Sequence, residues 1–367
     1  MIVFLAFLIW LYLFFLHGRF WESGPELQPA VPLTHPDVDI IVPARDEAET
    51  IGPVIASLVS QDYAGKFRVI LVDDNSTDGT AEKAGTHERL TIITGKPKAQ
   101  GWSGKLWALS QGVAASTAPV LLFCDADITH DPRHLATLVS RLQAPKVDMV
   151  SEMVRLNCTS WPERFLIPAF VYFFQMLYPF AKANDPASRV AAAAGGTVLI
   201  RREALERIGG LEKIMGALID DCTLAREVKR FGPIYIGHSG LATSIRPYPQ
   251  MRDIWNMIAR TAFTQLNYSA LWLAGTIIGL ALVWLVAPYE ILFGGLGWRF
   301  FLGLATFGLA GLSYLPTLQR YKQSSYFALA LPGIALFYMA ATIASAVNYW
   351  RGAGAQWKSR AYGGEAK

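Results

Sequence analysis

The sequence predicts an α/β domain with a mostly parallel central sheet, preceded by an N-terminal transmembrane helix and followed by C-terminal transmembrane helices. In the middle of the chain, short continuous apolar runs alternate with segments of helical period, which is typical of a parallel sheet covered by helices on both faces. At both ends, apolar stretches approach the ~20 residues that a spanning helix needs. Hydrophobic residues make up 52% of the 367-residue chain, which favours a membrane-attached protein.

The first 37 residues predict an anchor and a linker. Residues 1–20, MIVFLAFLIWLYLFFLHGRF, form a helix-length apolar run. The run has neither a charged start nor a small-residue cleavage site, so we expect a transmembrane anchor rather than a removed signal peptide. Residues 21–37 contain several prolines and predict a stiff, extended linker.

Residues 38–268 predict the globular domain. The expected strands include VDIIVP, FRVILVDD, RLTIIT and PVLLFCDAD, and helical segments such as AETIGPVIASLVSQ and KLWALSQGVAAS separate them. Three strands end in polar, turn-prone clusters, PARDE, DDNSTDG and DADIT. Ligands bind beyond the carboxyl ends of the strands in such sheets. The sequence therefore predicts an acidic site at one edge of the sheet.

Asp125 and Asp127 stand one residue apart at the end of the apolar run VLLFC. Two carboxylates this close repel each other and are costly to desolvate, so we expect a positive partner between them or an exposed position. Mg²⁺ and Mn²⁺ prefer oxygen ligands and are often completed by substrate phosphates, so the pair predicts a site for either ion with a diphosphate. An ordinary solvated turn is the alternative, because a lone D-x-D occurs by chance in many chains.

Charge and cysteine content exclude some classes of protein. The net charge of +4 comes without a basic run, which argues against nucleic-acid binding. The three cysteines are scattered with no C-x-x-C pair, which indicates reduced thiols in a cytosolic compartment.

Residues 269–350 predict C-terminal transmembrane helices, in three apolar segments near Ala270–Leu292, Phe300–Leu318 and Tyr326–Tyr349. Residues 351–367 form a basic tail. With a cytosolic catalytic domain, four crossings place this tail outside, whereas its basic residues favour the cytosol. One apolar segment that is re-entrant, or a different segmentation, would resolve the conflict.

Five motifs, VPARDEAETI, LVDDNSTDGT, GWSGKLWALSQG, CDADIT and IDDCTLAREVKRFG, occur in order along about Val38–Gly240. In order and approximate spacing they resemble the family 2 inverting glycosyltransferases, whose fold is a GT-A type nucleotide-sugar-binding domain. The flanking membrane segments and KAQGWSGKLWAL are most similar to the bacterial membrane glycosyltransferases associated with hopanoid biosynthesis. The broader layout is similar to ceramide glucosyltransferase-like enzymes.

The resemblance implies a site for a nucleotide sugar. Asp74 would accept a hydrogen bond from the uracil of a UDP-sugar. The backbone at Pro43 and Ala44, together with Glu47, would line the base and ribose, and Lys105 would lie near the ribose or the phosphates.

The resemblance also implies metal and catalytic roles. Asp127 would ligate the metal directly, with Asp125 beside the metal and diphosphate, and Asp221 would be the catalytic base with Asp220 beside it. Inverting transfer needs a carboxylate that takes the proton of the acceptor hydroxyl, and a neighbouring carboxylate raises proton affinity. The alternative for Asp220 and Asp221 is a helix start, since DDCTLAREVKR places acids first and bases last; both interpretations can hold together.

Three further features are weaker candidates. His238 is a possible metal ligand, but a lone histidine is more often hydrogen-bonded in a loop. Cys124 precedes the aspartate pair, but a buried cysteine is usually part of a core. Residues 194–196 lie near donor sugar and acceptor in the family, although glycines alone indicate only a bend.

The stretch RDIWNMIARTAF departs from the Q-x-x-R-W motif of processive relatives such as cellulose synthases. Arg260 matches the arginine, whereas Met257 and Thr261 replace the glutamine and tryptophan. We therefore expect a single transfer. Arg260 would either contact the diphosphate or act as a cation at the membrane edge.

Residues 161–182, from WPERF to FAK, predict an interfacial segment on the cytosolic leaflet. A buried core helix is the alternative. The interfacial interpretation predicts a membrane lipid hydroxyl as acceptor, of hopanoid or related type as the resemblance implies, and a multi-pass protein of the bacterial cytoplasmic membrane. The rival functions are a processive polysaccharide synthase, a membrane nucleotidyltransferase, and a scaffold or transporter that only binds nucleotide sugar. PARDEAETI lacks the glycine-rich basic loop usual in nucleotidyltransferases, and the apolar segments carry almost no acids besides Glu290.

Overall fold

The computed structural model describes residues 1–143 and 145–352, and the backbone of 356–357 and 360–361. The strands are β1 (Glu26–Leu27), β2 (Val38–Ala44), β3 (Phe67–Asp73), β4 (Leu90–Thr94), β5 (Val120–Cys124), β6 (Ile128–His130), β7 (Met149–Arg155), β8 (Thr197–Arg201), β9 (Ile234–Ser244), β10 (Gln356–Trp357) and β11 (Arg360–Ala361). The helices are α1 (Ile2–Leu11), α2 (Ile51–Val59), α3 (Thr80–Lys83), α4 (Gly104–Ala114), α5 (His134–Gln143), α6 (Trp161–Leu177), α7 (Phe180–Asn184), α8 (Arg202–Arg207), α9 (Asp220–Lys229), α10 (Met251–Gln265), α11 (Ala270–Trp284), α12 (Val286–Phe293), α13 (Trp298–Arg320) and α14 (Leu331–Trp350).

The central sheet has the order β1-β9-β7-β8-β5-β2-β3-β4, with β6 paired to β9. The pairs β2–β3, β3–β4, β2–β5, β7–β9 and β1–β9 are parallel. Strand β8 runs antiparallel to both of its neighbours, β5 and β7. The prediction of a mostly parallel α/β sheet is confirmed. Because β7 and β9 run in the same direction as β5, their carboxyl ends lie at the same edge.

Both faces of the sheet are covered, which explains the continuous apolar strands. Within β2, Ile40 and Val42 pack into one core cluster while Ile41 packs into the other. Helix α4 lies directly on the second face at Gly112, where an added Cβ would stand 2.3 Å from Ile41 Cγ2. This close approach places the first turn of α4 beside the carboxyl ends of the strands.

Two helical segments are long and apolar enough to cross a membrane, Trp298–Arg320 and Ser325–Trp350. Helices α11 and α12 together would make a third span, bent by 45°. Helix α1 continues as a π-helical turn to Leu16, and the resulting apolar helix, Ile2–Leu16, is shorter than the ~20 residues of a typical span. It packs against α11, α12 and α13, and Trp10 Nε1 donates to Val283 O at 2.8 Å. Most of the predicted basic tail, residues 351–367, lies outside the described residues.

Helix α6 occupies most of the segment that we predict to be interfacial. Its start is fixed by a capping box, in which Ser160 and Glu163 bond each other's backbone nitrogens. Tyr172 is fully buried and its hydroxyl lies 2.6 Å from Ser313 Oγ on α13. The ring of Phe173 packs against Trp284. Helix α6 is therefore buried along most of its length, partly by the apolar C-terminal helices, and its ends are the exposed parts.

Candidate active site

The D-x-D aspartates lie where β5 ends, at the edge shared by the parallel strands. Asp125 N donates to Gly196 O at 3.1 Å, and Ile245 N donates to Asp127 O at 2.9 Å. These backbone bonds connect the turn after β5 to the segments beside β8 and β9. Both carboxylates are partly exposed at this edge, 34% for Asp125 and 15% for Asp127. The position that the sequence predicts for them is the one observed.

Lys105, in the first turn of α4, brings two parts of the site together. Its Nζ lies 2.8 Å from Asp125 Oδ1 and 3.4 Å from Asp220 Oδ2. Burial alone would lower the pKa of Lys105, but Asp125, Asp220 and Asp221 raise it further than burial lowers it. The ammonium group is therefore charged and links the D-x-D turn to the start of α9.

Asp220 and Asp221 open α9, so the helix-start interpretation also holds. Asp221 Oδ1 accepts a hydrogen bond from Cys222 N at 2.7 Å. Burial, followed by the charge of Asp220, raises the pKa of Asp221 to about 7, although Lys105 opposes the shift. A group with this pKa is well suited to accept a proton near neutral pH.

The backbone of Gly195 forms one wall beside these groups. An added Cβ there would stand 3.2 Å from Asp221 Oδ2 and 3.3 Å from Lys105 Nζ. A cavity of about 20 Å³ is lined by Gly195, Asp221 and Lys105 together with Pro43 and Asp125. The glycine-rich turn at 194–196 therefore lies in the site, and a side chain at 195 would press on the candidate base.

Arg246 is a residue of the site that sequence reasoning missed. Its Nε donates to Asp127 Oδ2 at 2.5 Å and a terminal nitrogen donates to Glu47 Oε1 at 2.6 Å. It follows β9 directly, so a cation just after a strand parallel to β5 was the available signal. Each D-x-D carboxylate thus has a basic side chain as its partner, in line with the expectation of a positive partner for the pair.

Asp74 lies at the end of β3 and is fully buried. Its backbone N donates to Ala44 O at 2.8 Å, and Arg45 donates to Asp74 O at 2.5 Å. Arg45 also forms an ion pair with the Asp74 carboxylate, 3.8 Å from Asp74 Oδ2, and sequence reasoning missed this residue as well. Pro43 belongs to β2 and lines the cavity described above.

The other two weaker candidates, His238 and Cys124, are buried. His238 contacts Gln175 and Ser23, and burial holds its pKa well below the usual range, so its imidazole is neutral. Cys124 is buried with its Sγ 3.7 Å from His130 Nε2. Arg260 is exposed on α10. None of these observations gives His238 a place among the site residues described above.

The donor set fits a hard divalent ion held partly by substrate. Across residues 1–143 and 145–352, no group of three or more His, Cys, Asp or Glu side chains is arranged to hold a metal ion. Asp125 and Asp127 supply carboxylate oxygens, which Mg²⁺ and Mn²⁺ prefer, and phosphate oxygens commonly complete such sites. The two residues would therefore hold the ion together with a diphosphate.

Residues 39–209 match the family model "Glycosyl transferase family 2", which supports a family 2 glycosyltransferase domain in this part of the chain. The chain is 27% identical over 190 residues to a beta-monoglucosyldiacylglycerol synthase of Nostoc sp., covering 50% of this chain and 39% of the relative. It is 28% identical over 126 residues to a dodecaprenyl-phosphate galacturonate synthase of Rhizobium johnstonii, covering 32% of this chain and 36% of that protein. The alignments thus span well under two thirds of either relative.

A solved structure is similar along nearly the whole chain. A mannosyltransferase from Pyrobaculum calidifontis, in complex with GDP-Man and Mn²⁺, superposes with a TM-score of 0.57 and 22% sequence identity. The superposition covers 98% of this chain and 96% of that one. The likeness confirms the α/β GT-A-like fold.

Proposed function

We propose that this chain is a membrane glycosyltransferase that transfers a sugar from a nucleotide sugar, of UDP type, to a lipid hydroxyl in a single step with inversion. The observation that carries the proposal is the meeting of Lys105, Asp125, Asp220 and Asp221 around one cavity at the carboxyl ends of the parallel strands. The family match at residues 39–209 and the relatives' names support the same reaction class.

Asp221 would take the proton of the acceptor hydroxyl. Its pKa of about 7 lets the carboxylate be present at neutral pH while keeping enough basicity to accept a proton. Lys105, which contacts Asp125 and Asp220, would turn its positive charge to the departing diphosphate. Asp220 would keep the proton affinity of Asp221 high by its charge.

Asp125 and Asp127 would hold Mg²⁺ or Mn²⁺, which when bound neutralises the negative charge of the leaving diphosphate. Mn²⁺ in the complex of the Pyrobaculum calidifontis mannosyltransferase supports this assignment. Pro43, Ala44, Glu47 and Asp74 would form the nucleoside side of the site. The Asp74 side chain is fully buried and its carboxylate is paired with Arg45, so an approach of uracil to this carboxylate would require neighbouring groups such as Arg45 to shift.

The acceptor is proposed to be a membrane lipid. Apolar helices that could span a bilayer pack against α6, and Tyr178, at the C-terminal end of α6, lies close to Cys222 and Asp221. Two relatives are named for lipid-linked products or acceptors, a glucosyldiacylglycerol and a dodecaprenyl phosphate. A hopanoid or related lipid remains the prediction of the sequence resemblance. Thr261 in place of the tryptophan of processive relatives supports a single transfer.

The protein is further proposed to be a multi-pass protein of the bacterial cytoplasmic membrane, with the catalytic domain in the cytosol. The apolar helices α13 and α14 support the membrane assignment. Free thiols at Cys124, Cys158 and Cys222 support the cytosolic side.

The test is turnover in detergent against a panel of nucleotide sugars with Mg²⁺ or Mn²⁺ and lipid acceptors. Release of a nucleoside diphosphate with formation of a glycolipid supports the proposal. Release of pyrophosphate instead would indicate the nucleotidyltransferase, and a product of many sugar units would indicate the processive synthase. Tight donor binding without turnover of any donor would indicate a binding protein.

A further inference from the structure

We propose that Arg246 is an internal counter-cation that competes with the divalent metal for Asp127 and transfers to the diphosphate when the donor binds. The proposal rests on the function proposed above and adds that the binding of the metal and the binding of the diphosphate are coupled. Metal and nucleotide diphosphate would bind this site in a strongly coupled manner, because each makes the other's binding less costly.

Arg246 bridges two carboxylates from different elements. Its Nε bonds Asp127 Oδ2 at 2.5 Å, and its terminal nitrogen bonds Glu47 Oε1 at 2.6 Å. The arginine is 30% exposed, whereas Asp127 and Glu47 are 15% and 10% exposed. One oxygen of the expected direct metal ligand is therefore taken by a charge-assisted hydrogen bond in a largely desolvated position.

Lys105 forms an ion pair with the other aspartate of the D-x-D pair, and its Nζ lies 2.8 Å from Asp125 Oδ1. Each D-x-D carboxylate thus has its own cation. A metal ion that arrives alone must take Asp127 from Arg246 and then face the displaced guanidinium at short range, which is unfavourable.

A diphosphate changes this balance. It offers Arg246 new oxygen acceptors in place of Asp127, and a guanidinium bonds phosphate oxygens in a two-point geometry. Metal binding at Asp127 and diphosphate binding at Arg246 then favour each other, and by linkage the two couplings are equal. The alternative is that Arg246 only holds Asp127 in place for the metal, and it predicts the opposite change when Arg246 is removed.

The experiment is calorimetry of Mn²⁺ binding to the full-length protein in detergent, alone and in the presence of saturating UDP or GDP. Uridine, which lacks the diphosphate, is the ligand control. The variants are R246Q, R246K and, as a matched change of charge, R252Q at an exposed position on the first turn of α10. Chelation of Mn²⁺ by free nucleotide is common to all proteins and cancels between them.

We expect R246Q to raise the affinity for Mn²⁺ alone about tenfold, and to reduce the gain from UDP or GDP by a similar factor. R246K keeps the charge, so it should keep weak binding of Mn²⁺ alone but lose part of the gain from the diphosphate. R252Q should behave as the wild type, and uridine should give no gain. If R246Q does not fold, two measurements on R246K still distinguish the two roles of Arg246: its affinity for Mn²⁺ alone and the gain in that affinity from the diphosphate.

A fall in affinity for Mn²⁺ alone in R246Q, or an unchanged gain from the diphosphate in both variants, would overturn the proposal and leave Arg246 as a residue that positions Asp127. In that case nucleotide binding by the wild type would still support the glycosyltransferase. A wild-type protein that binds neither UDP nor GDP with Mn²⁺ would instead overturn the proposed function itself.

Discussion

Replacing Asp221 by asparagine tests the candidate base most directly. Burial and Asp220 raise the pKa of Asp221 from 3.8 to about 7. At pH 7 about half of the free enzyme would carry the ionised base, and about a tenth at pH 6. The kcat/KM of the wild type should therefore rise about tenfold per pH unit below pH 7 and level off above it, because kcat/KM reports the free enzyme.

The raised pKa of Asp221 also makes stability depend on pH, in the direction opposite to that of a carboxylate whose pKa is lowered by folding. Between pH 3.8 and about 7 the folded state holds a proton that the unfolded state has lost, so stability falls as pH rises through this window. Asp221→Asn removes the cost of the buried charge. We expect the variant to melt higher than the wild type at pH 8 and at the same temperature near pH 4.

The assay combines nucleoside diphosphate release between pH 5.5 and 8.5 with thermal melts in the same detergent. Asp221→Asn should lose a factor of about 10² or more in turnover while still binding donor. Asp220→Asn is the matched comparison: it removes one raising charge but keeps the base, so the rising limb should move to lower pH and turnover should fall much less than in Asp221→Asn. A flat profile in the wild type, or near-normal turnover in Asp221→Asn, would refute the assignment.

Three further predictions concern neighbouring positions. Asp127→Ala should abolish metal-dependent binding of UDP while the protein stays folded; unchanged affinity in calorimetry would remove Asp127 from the metal site. Lys105→Gln removes the cation that opposes the raised pKa of Asp221, so the rising limb of the pH profile should move to higher pH and turnover should fall; a limb that moves down would contradict the charge argument. Leu177→Asp, at an exposed end of α6, should reduce transfer to lipids in liposomes and spare slow donor hydrolysis. Phe173→Asp, at a position packed inside the bundle, should destabilise the protein and lose both activities. Equal loss of the two activities in Leu177→Asp and in Phe173→Asp would exclude a lipid contact at Leu177.

The sheet and its active edge were predictable because both follow from short-range patterns. Strands such as VDIIVP and VLLFC are buried on both faces and read as continuous apolar runs, and each polar cluster follows its strand. Asp125 was predicted on this principle, whereas the role of Lys105 was implied only by the family resemblance; the two lie 2.8 Å apart. Arg246 was missed because it lies outside the five motifs. Arg45 lies inside VPARDEAETI, but its partner Asp74 follows a different strand, and sequence alone does not show that the two meet.

The depth of α6 could not be predicted from its own sequence. A run of aromatic residues between Arg164 and Lys182 is compatible both with a lipid surface and with a packed helix. What decides between them is tertiary packing: Tyr172 meets Ser313 and Phe173 meets Trp284, both in the C-terminal bundle. The local composition indicates only that the aromatic face of α6 must be covered. It does not indicate whether lipid or protein covers it.

The charges of the site explain why the arrangement needs a substrate to be complete. Glu47, Asp125, Asp127 and Asp220 face two nearby cations, Lys105 and Arg246. Burial raises the proton affinity of Asp221 most, and the excess negative charge raises it further through Asp220 and then Asp125. A divalent ion alone would remove part of that excess and lower the basicity of Asp221, whereas the ion together with a diphosphate adds little net charge. The candidate base would therefore keep its basicity through donor binding, and would be weakened only if the metal stayed after the nucleotide left.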